Sequence, residues 1–150
     1  MLFRSWVGDG PAREALARGN PDFIFAGVQR GQALARHFAS ADLFLFPSRS
    51  ETFGNVTLEA MASAVATVAF DSGAAREHLR HGVHGALAGD DAGFIEAATA
   101  LAADTTACRD MGRAARAAVL RLRPEQVAAD FDALLAGLAR PGAHDGHVAA

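Results

Sequence analysis

Lysine and tyrosine do not occur in this 150-residue sequence, and cysteine and tryptophan each occur once. A single thiol, Cys108, excludes an intramolecular disulfide and a cysteine-built metal cluster, so a reducing cytoplasm is the expected setting. The basic residues number 14 against 17 acidic ones, a formal charge of -3, and all of the basic ones are arginine. That balance offers no basic surface for phosphate neutralisation and argues against a nucleic-acid partner. Long apolar runs are missing too. The opening MLFRSWVGDGPAR holds one apolar burst too short for a signal peptide, and no later segment approaches the ~20 apolar residues needed to span a bilayer. What is present is a 51% hydrophobic, 21% charged chain, the composition of one compact domain with a buried core.

Short apolar runs alternate with helix-like stretches, and Gly, Pro, Asp or Ser marks each junction. This is the pattern of βα units around a parallel sheet. Leu2 to Val7 reads as a first strand, followed by the Gly8-Asp9-Gly10-Pro11 turn and a helix opened by Pro11 through about Arg18. Phe23 to Ala26 is a short strand. Leu34, Phe38 and Ala41 form a helical stripe after Gly31, and Asp42 to Phe46 reads as the clearest buried strand. A loop, Pro47 to Gly54, leads to a helix from about Asn55 to Ser63 and a strand from Thr67 to Phe70. A helix ending near Leu79 and a brief strand at Ala86 to Ala88 follow. From Asp91 the pattern is helical, with Ile95, Ala98, Leu101 and Ala102 as one stripe and Met111, Ala115, Ala118 and Leu122 as another. Pro124 opens a last helix predicted to bury Val127, Phe131, Leu134, Leu135 and Leu138. Residues 1–140 are expected to form one domain, and 141–150, which include His144 and His147, a flexible tail.

The stretch from Phe46 to Glu59 is where chemistry is expected. In an open parallel sheet, ligands bind beyond the carboxyl ends of the strands, where helix starts carry unpaired N–H groups and partial positive charge. Gly54 lets backbone approach a ligand closely, Asn55 can cap the helix, and the amides of Gly54, Asn55 and Val56 suit a diphosphate. Glu59 stands among Val56, Leu58, Ala60, Met61 and Ala62, which predicts a helix sandwiched in the core. A carboxylate buried there needs an internal donor or a bound pair of hydroxyls such as a ribose offers. The simpler alternative is that Glu59 reaches solvent between small alanines. Taken alone, Glu51 reads as a surface loop acid.

The segment PSRSETFGNVTLEAMAS resembles the signature of glycosyltransferase family 4, a Glu-x7-Glu motif represented here by Glu51 and Glu59 around Phe53, Gly54 and Asn55. The resemblance runs from VGDGPAR through FAG and ADLFLFPS to AFDSG, EHLRHG and HGALA, about two-thirds of the chain in the same order. It implies an α/β fold in which a Rossmann-like parallel sheet is flanked by helices, the C-terminal half of the GT-B architecture, with a helical C-terminal segment. It further implies retaining transfer of a hexose, mannose or glucose, from a UDP- or GDP-linked sugar to a glycan or lipid acceptor, without a metal or other cofactor. Glu51 would meet the donor sugar's hydroxyls and Glu59 the ribose. Phe53, Gly54, Asn55 and Val56 would line the diphosphate and sugar, Val28 the base, and the Gly10 turn the same cleft. The acceptor-binding half and the cations that hold the diphosphate are expected upstream, outside this sequence. The full enzyme would then sit in the cytoplasm or peripherally at the inner membrane, and the uncovered inter-domain face would favour self-association. Ala64 and Ala66 stand where the family has Gly and Pro.

Other readings differ in class. A non-catalytic nucleotide-binding fragment, or a subunit completed by a separate N-terminal domain, fits the same residues. A nucleotide-sugar epimerase shares the architecture but not the Glu51 to Glu59 motif. GDGPAR begins like a dinucleotide loop, but Arg13 replaces its third glycine. His78, His81 and His84 are spaced by three, yet Gly82 breaks the helix face that would align them on a metal.

Overall fold

The computed structural model describes residues 4–50 and 54–139. Its strands and helices alternate: β1 (Ser5–Val7), α1 (Arg13–Gly19), β2 (Ile24–Gly27), α2 (Gly31–Ala39), β3 (Leu43–Phe46), α3 (Asn55–Ala62), β4 (Ala66–Phe70), α4 (Gly73–His78) and β5 (Gly85–Ala88). Three helices follow, α5 (Asp91–Ala103), α6 (Thr105–Val119) and α7 (Pro124–Leu138). Every strand pairing is parallel, as βαβ connections require. The strands nevertheless form two sheets, β1-β2 and β3-β4-β5.

The three-stranded sheet carries the core. Leu43 pairs with Ala66 and Leu45 with Val68, and the alternation of side chains across the pleat divides β4 between two layers. Ala66, Val68 and Ala86 pack with Leu101 of α5 and Cys108 of α6. Ala69 packs on the other face with Met61 of α3, Ala75 of α4, Leu79 just after α4 and Ala115 of α6. All five residues of β4 are buried, the expected condition of a central parallel strand.

Helix α6 serves both layers, with Cys108 and Met111 in one and Ala115, Ala118 and Val119 in the other. It crosses between them at Gly112, where a Cβ would run into the carbonyl of Ala64. The chain turns there from α3 into β4. Val65 N–H donates to Ala60 O at 3.1 Å and Ala64 N–H to Met61 O at 3.0 Å, the paired bonds of a helix stop built on a left-handed residue. That residue is Ala64, with φ 60° and the only positive φ among the described non-glycine residues. Ala64, which stands where the resembled family has Gly, thus takes up glycine geometry.

Several expectations of burial fail, among them Leu122 of the second stripe, which lies past the end of α6 and is 56% exposed. Leu45 is 47% exposed although Leu43, on the same face of β3, packs against the Ala66, Leu101 and Cys108 cluster; the cover ends before the strand does. On α5 the inward residues are Phe94, Ala97 and Leu101, while Ile95 is 64% exposed; the true stripe begins one residue earlier than the one predicted. Helix α7 is exposed throughout its described residues, with Phe131 59% and Leu138 66% accessible. Its apolar face has the predicted spacing, but no described element packs on it. The tail 141–150 lies outside the described residues.

Candidate functional site

The carboxyl ends of β3, β4 and β5 all open toward helix starts, and the loop after β3 is the longest of these connections. Ser48 Oγ donates to Ser50 O at 2.8 Å within it. Arg49 leaves the loop to lie over the Phe70 ring, 4.3 Å from its centre, and donates to Asp91 Oδ1 at 2.6 Å. One arginine therefore joins the ends of β3 and β4 to the start of α5. Both partners are solvent-exposed, so its value lies more in fixing the loop's path than in ion-pair energy. Sequence reasoning missed this clamp, since neither Phe70 nor Asp91 stands near Arg49 in the chain.

Helix α3 starts at Gly54, which occupies the N-cap with φ 64° and ψ 26°. Glycine takes this left-handed conformation without steric cost. No side chain caps the helix, so Asn55, expected to be the cap, instead stands at the first helical position. Thr57 N–H and Leu58 N–H both donate to Gly54 O. The amides of Asn55 and Val56 come before the first turn closes and have no intrahelical acceptor. Open donors and the helix dipole make this end favourable to an anion.

Glu59 lies one turn farther on. It is exposed together with Asn55 and Ala62, whereas Thr57, Ala60 and Met61 are buried. The core-sandwiched environment expected for this carboxylate is therefore not observed: α3 buries only one side, and the small Ala62 leaves the other open. Glu59 shares the outward face with Asn55 by the four-residue repeat of the helix. No hydrogen bond or ion pair to it occurs among the described residues. Glu51 and Phe53 lie outside the described residues.

Gly10 and Val28 belong to the other sheet. Gly8 N–H donates to Gly27 O at 2.9 Å, which draws the loops after β1 and β2 together. Gly10 N–H donates to Asp9 Oδ1 at 2.9 Å, and Gln29 Nε2 to Ala26 O at 2.6 Å, leaving Val28 58% exposed. Among the described residues no hydrogen bond joins this pair of loops to α3. A shallow concavity of about 440 Å³ lies elsewhere, between β5 and α5 against His81, Glu96 and Met111, and contains none of the predicted site residues.

The three neighbouring histidines act on backbone or stand apart. Leu87 N–H donates to His81 Nδ1 at 3.1 Å, and Arg80 N–H to His84 Nδ1 at 3.2 Å. Among the described residues no group of three or more His, Cys, Asp or Glu side chains is placed to hold a metal ion. Asp71 accepts from Arg76 Nε at 2.8 Å, a bond that raises the guanidinium's pKa.

A parallel α/β sheet with a glycine-opened helix start at a strand's carboxyl end defines a Rossmann-like domain, the class of fold that receives nucleotides at such loops. The comparisons make this specific. Residues 5–104 match the model of the family described as glycosyl transferases group 1. The chain is 42% identical over 81 residues to a GDP-mannose-dependent alpha-mannosyltransferase of Corynebacterium glutamicum, covering 54% of this chain and 20% of that protein. It also resembles the solved sucrose-phosphate synthase of Thermosynechococcus elongatus, with a TM-score of 0.77 and 25% identity over 89% of this chain and 38% of that one. The Anabaena HepE structure in complex with UDP and glucose matches 89% of this chain and 40% of its own at TM-score 0.70 and 23% identity, a likeness of fold. The chain belongs to the group 1 glycosyl transferases and has the α/β fold of GT-B enzymes. It spans about a fifth of the length of that mannosyltransferase.

Proposed function

We propose that this chain is the donor-binding part of a retaining hexosyltransferase that takes a UDP- or GDP-linked sugar and passes the hexose, mannose or glucose, to a glycan or lipid acceptor. The observation that carries this is the start of α3: an uncapped helix opened by Gly54 in the left-handed conformation, with Glu59 outward one turn beyond. The Asn55 and Val56 amides receive the diphosphate, and Glu59 accepts hydrogen bonds from two ribose hydroxyls. Exposure of Glu59 favours this role over a structural one, because its carboxylate has no competing partner among the described residues. Glu51, eight positions earlier, meets the sugar hydroxyls, with Phe53 beside them. Val28 borders the base and Gly10 shapes the cleft wall. Amides fixed before the reaction stabilise the leaving diphosphate without reorganisation, and no metal enters this reading. The GDP-mannose dependence named for the Corynebacterium relative supports a nucleotide-sugar donor.

Transfer also needs an acceptor held against the donor, which can contribute on the order of 7 to 11 kcal/mol to lowering the barrier. The described residues provide one wall of such a cleft, so a donor-binding module completed by further protein is the form we favour for these 150 residues. Calorimetry with UDP, GDP and ADP tests the reading. Glu59→Gln should weaken nucleotide binding by about 1 to 3 kcal/mol, the loss expected for a charged hydrogen-bond acceptor. A folded chain that binds none of the three nucleotides at millimolar concentration would refute it.

A further inference from the structure

The loop between β3 and α3 is tied to both layers of the domain. At its far end Gly54 opens α3, whose Met61 packs in the layer of Ala69. Near its beginning, Arg49 reaches the opposite layer. The guanidinium carbon stands 4.3 Å from the centre of the Phe70 ring, and Phe70 meets Phe94 of α5 with 5.1 Å between ring centres. Phe94 belongs to the layer of Ala66, Val68 and Leu101. The same guanidinium donates to Asp91 Oδ1 at 2.6 Å, where α5 begins. The loop thus has a foot on each side of the sheet, and only residues 50–53 separate the two.

The first foot stands on fixed ground. Phe70 is buried, and the start of α5 is held by Asp90, whose Oδ1 accepts from Gly93 N–H at 2.8 Å. Ser48 Oγ donates to Ser50 O at 2.8 Å, which turns the backbone about Arg49. A planar guanidinium that lies on a ring and pairs with a carboxylate is oriented by both, which a flexible ammonium matches poorly. Because the ion pair is exposed, it adds little to global stability. Its effect is local: anchoring Arg49 shortens the free part of the loop, and a pre-ordered loop loses less freedom when a ligand binds.

We propose that Arg49 is a positioning residue for the donor's sugar: by tying the loop to Phe70 and Asp91 it holds Glu51, two residues farther on, for the sugar hydroxyls, without itself touching the donor. The inference rests on the role proposed above for Glu51. The nucleotide side of that site, at Asn55, Val56 and Glu59, lies beyond the second foot, on a helix docked through Ala60 and Met61. Loss of Arg49 therefore acts on the sugar and spares the nucleotide. Two measurements on the 150-residue chain test this, the first without any nucleotide. In Arg49→Met the NMR order parameters of the backbone amides at positions 48, 49 and 50 should fall by at least about 0.1, with those of β4 unchanged. In calorimetry with UDP-glucose against UDP, and GDP-mannose against GDP, Arg49→Met should weaken the sugar nucleotide about five- to tenfold and the free nucleotide less than about twofold. Asp91→Asn should act the same way to a smaller degree, and the double variant should be no weaker than Arg49→Met alone, because both changes break one contact. Arg49→Lys, which keeps the charge, should fall between Arg49→Met and the unaltered chain.

Unchanged order parameters would overturn the proposal, since Arg49 would then not anchor the loop. So would an equal loss of sugar nucleotide and free nucleotide in Arg49→Met, or a double variant clearly weaker than Arg49→Met. Glu51→Ala is the reference that separates this inference from the reading beneath it. If Glu51→Ala weakens the sugar nucleotide and Arg49→Met does not, the positioning role alone falls. If Glu51→Ala is also without effect, or the unaltered chain binds none of the four ligands, the proposed function fails and takes the positioning role with it, while the order parameters still decide whether the anchor exists.

Discussion

Ala64→Gly should stabilise the protein, and the size of the effect follows from the turn between α3 and β4. Ala64 holds φ 60°, a region that costs an L-residue about 1 to 2 kcal/mol and glycine almost nothing. Glycine adds freedom to the unfolded chain, which returns about 0.4 to 1 kcal/mol. The difference leaves a net gain of about 0.5 to 1 kcal/mol. For a domain of this size that is a rise in Tm of roughly 2 to 3 °C. The hydrogen bonds of the turn, Val65 N–H to Ala60 O and Ala64 N–H to Met61 O, are unchanged by the substitution, so relief of strain is isolated. Gly112→Ala is the opposing control. Its new Cβ would meet the Ala64 carbonyl, forcing α6 off the turn at a cost of about 1 to 3 kcal/mol. Urea unfolding monitored by circular dichroism measures both. An Ala64→Gly protein with an unchanged or lower midpoint would show that the chain does not hold this residue left-handed, and the reasoning would fall.

Thr67 is fully buried in β4 and its hydroxyl has no hydrogen-bond partner among the described residues; Thr67→Val should therefore raise stability by about 1 kcal/mol in the same unfolding assay, because an unpaired buried hydroxyl is costly. Cys108 donates its thiol to Leu101 O at 3.1 Å, and burial, with added repulsion from Asp104 and Asp42, raises its pKa. The folded chain then keeps this proton to higher pH than the unfolded chain, so the contribution to stability is complete below the ordinary thiol range and is lost as pH rises through it. Labelling of Cys108 by a thiol reagent near neutral pH should be at least about tenfold slower in the folded chain than in urea. Phe131→Ser combined with Leu135→Ser on exposed α7 should shift stability by less than about 0.5 kcal/mol. If the uncovered apolar face drives self-association, the same double variant should lower the weight-average mass in sedimentation. A large loss of stability would place α7 in the core after all.

Much of the architecture was legible because it is encoded locally. Gly73, Gly54 and the Gly8 to Pro11 turn mark junctions by their backbone needs, and the predicted strands at Thr67 to Phe70 and Ala86 to Ala88 fall within one residue of β4 and β5. What failed to read was burial. An apolar pattern states that a face needs covering, and it does not state whether a neighbour is present. The spacing of Val127, Phe131, Leu134 and Leu138 is sound, yet all four are exposed. The same is true of Leu45, whose strand has the composition of a central position but lies at a sheet edge. The split into two sheets could not be read either, because strand order depends on contacts far apart in sequence.

The site was legible in a different way, and Glu59 shows why. Its helix has so many apolar positions that burial seemed to demand a partner for the carboxylate, yet α3 turns Asn55 and Glu59 outward. Three of the remaining apolar positions, Ala60 and Met61 on the sheet side and Leu58 beside them, are sufficient to dock the helix. A fully buried acid would have needed either an internal donor or a bound pair of hydroxyls. An exposed acid one turn beyond two open amides keeps its hydrogen-bonding capacity available, and that availability is what binding requires. Among the described residues Glu59 has no hydrogen-bond partner, so its carboxylate is open for the hydroxyl recognition proposed for it.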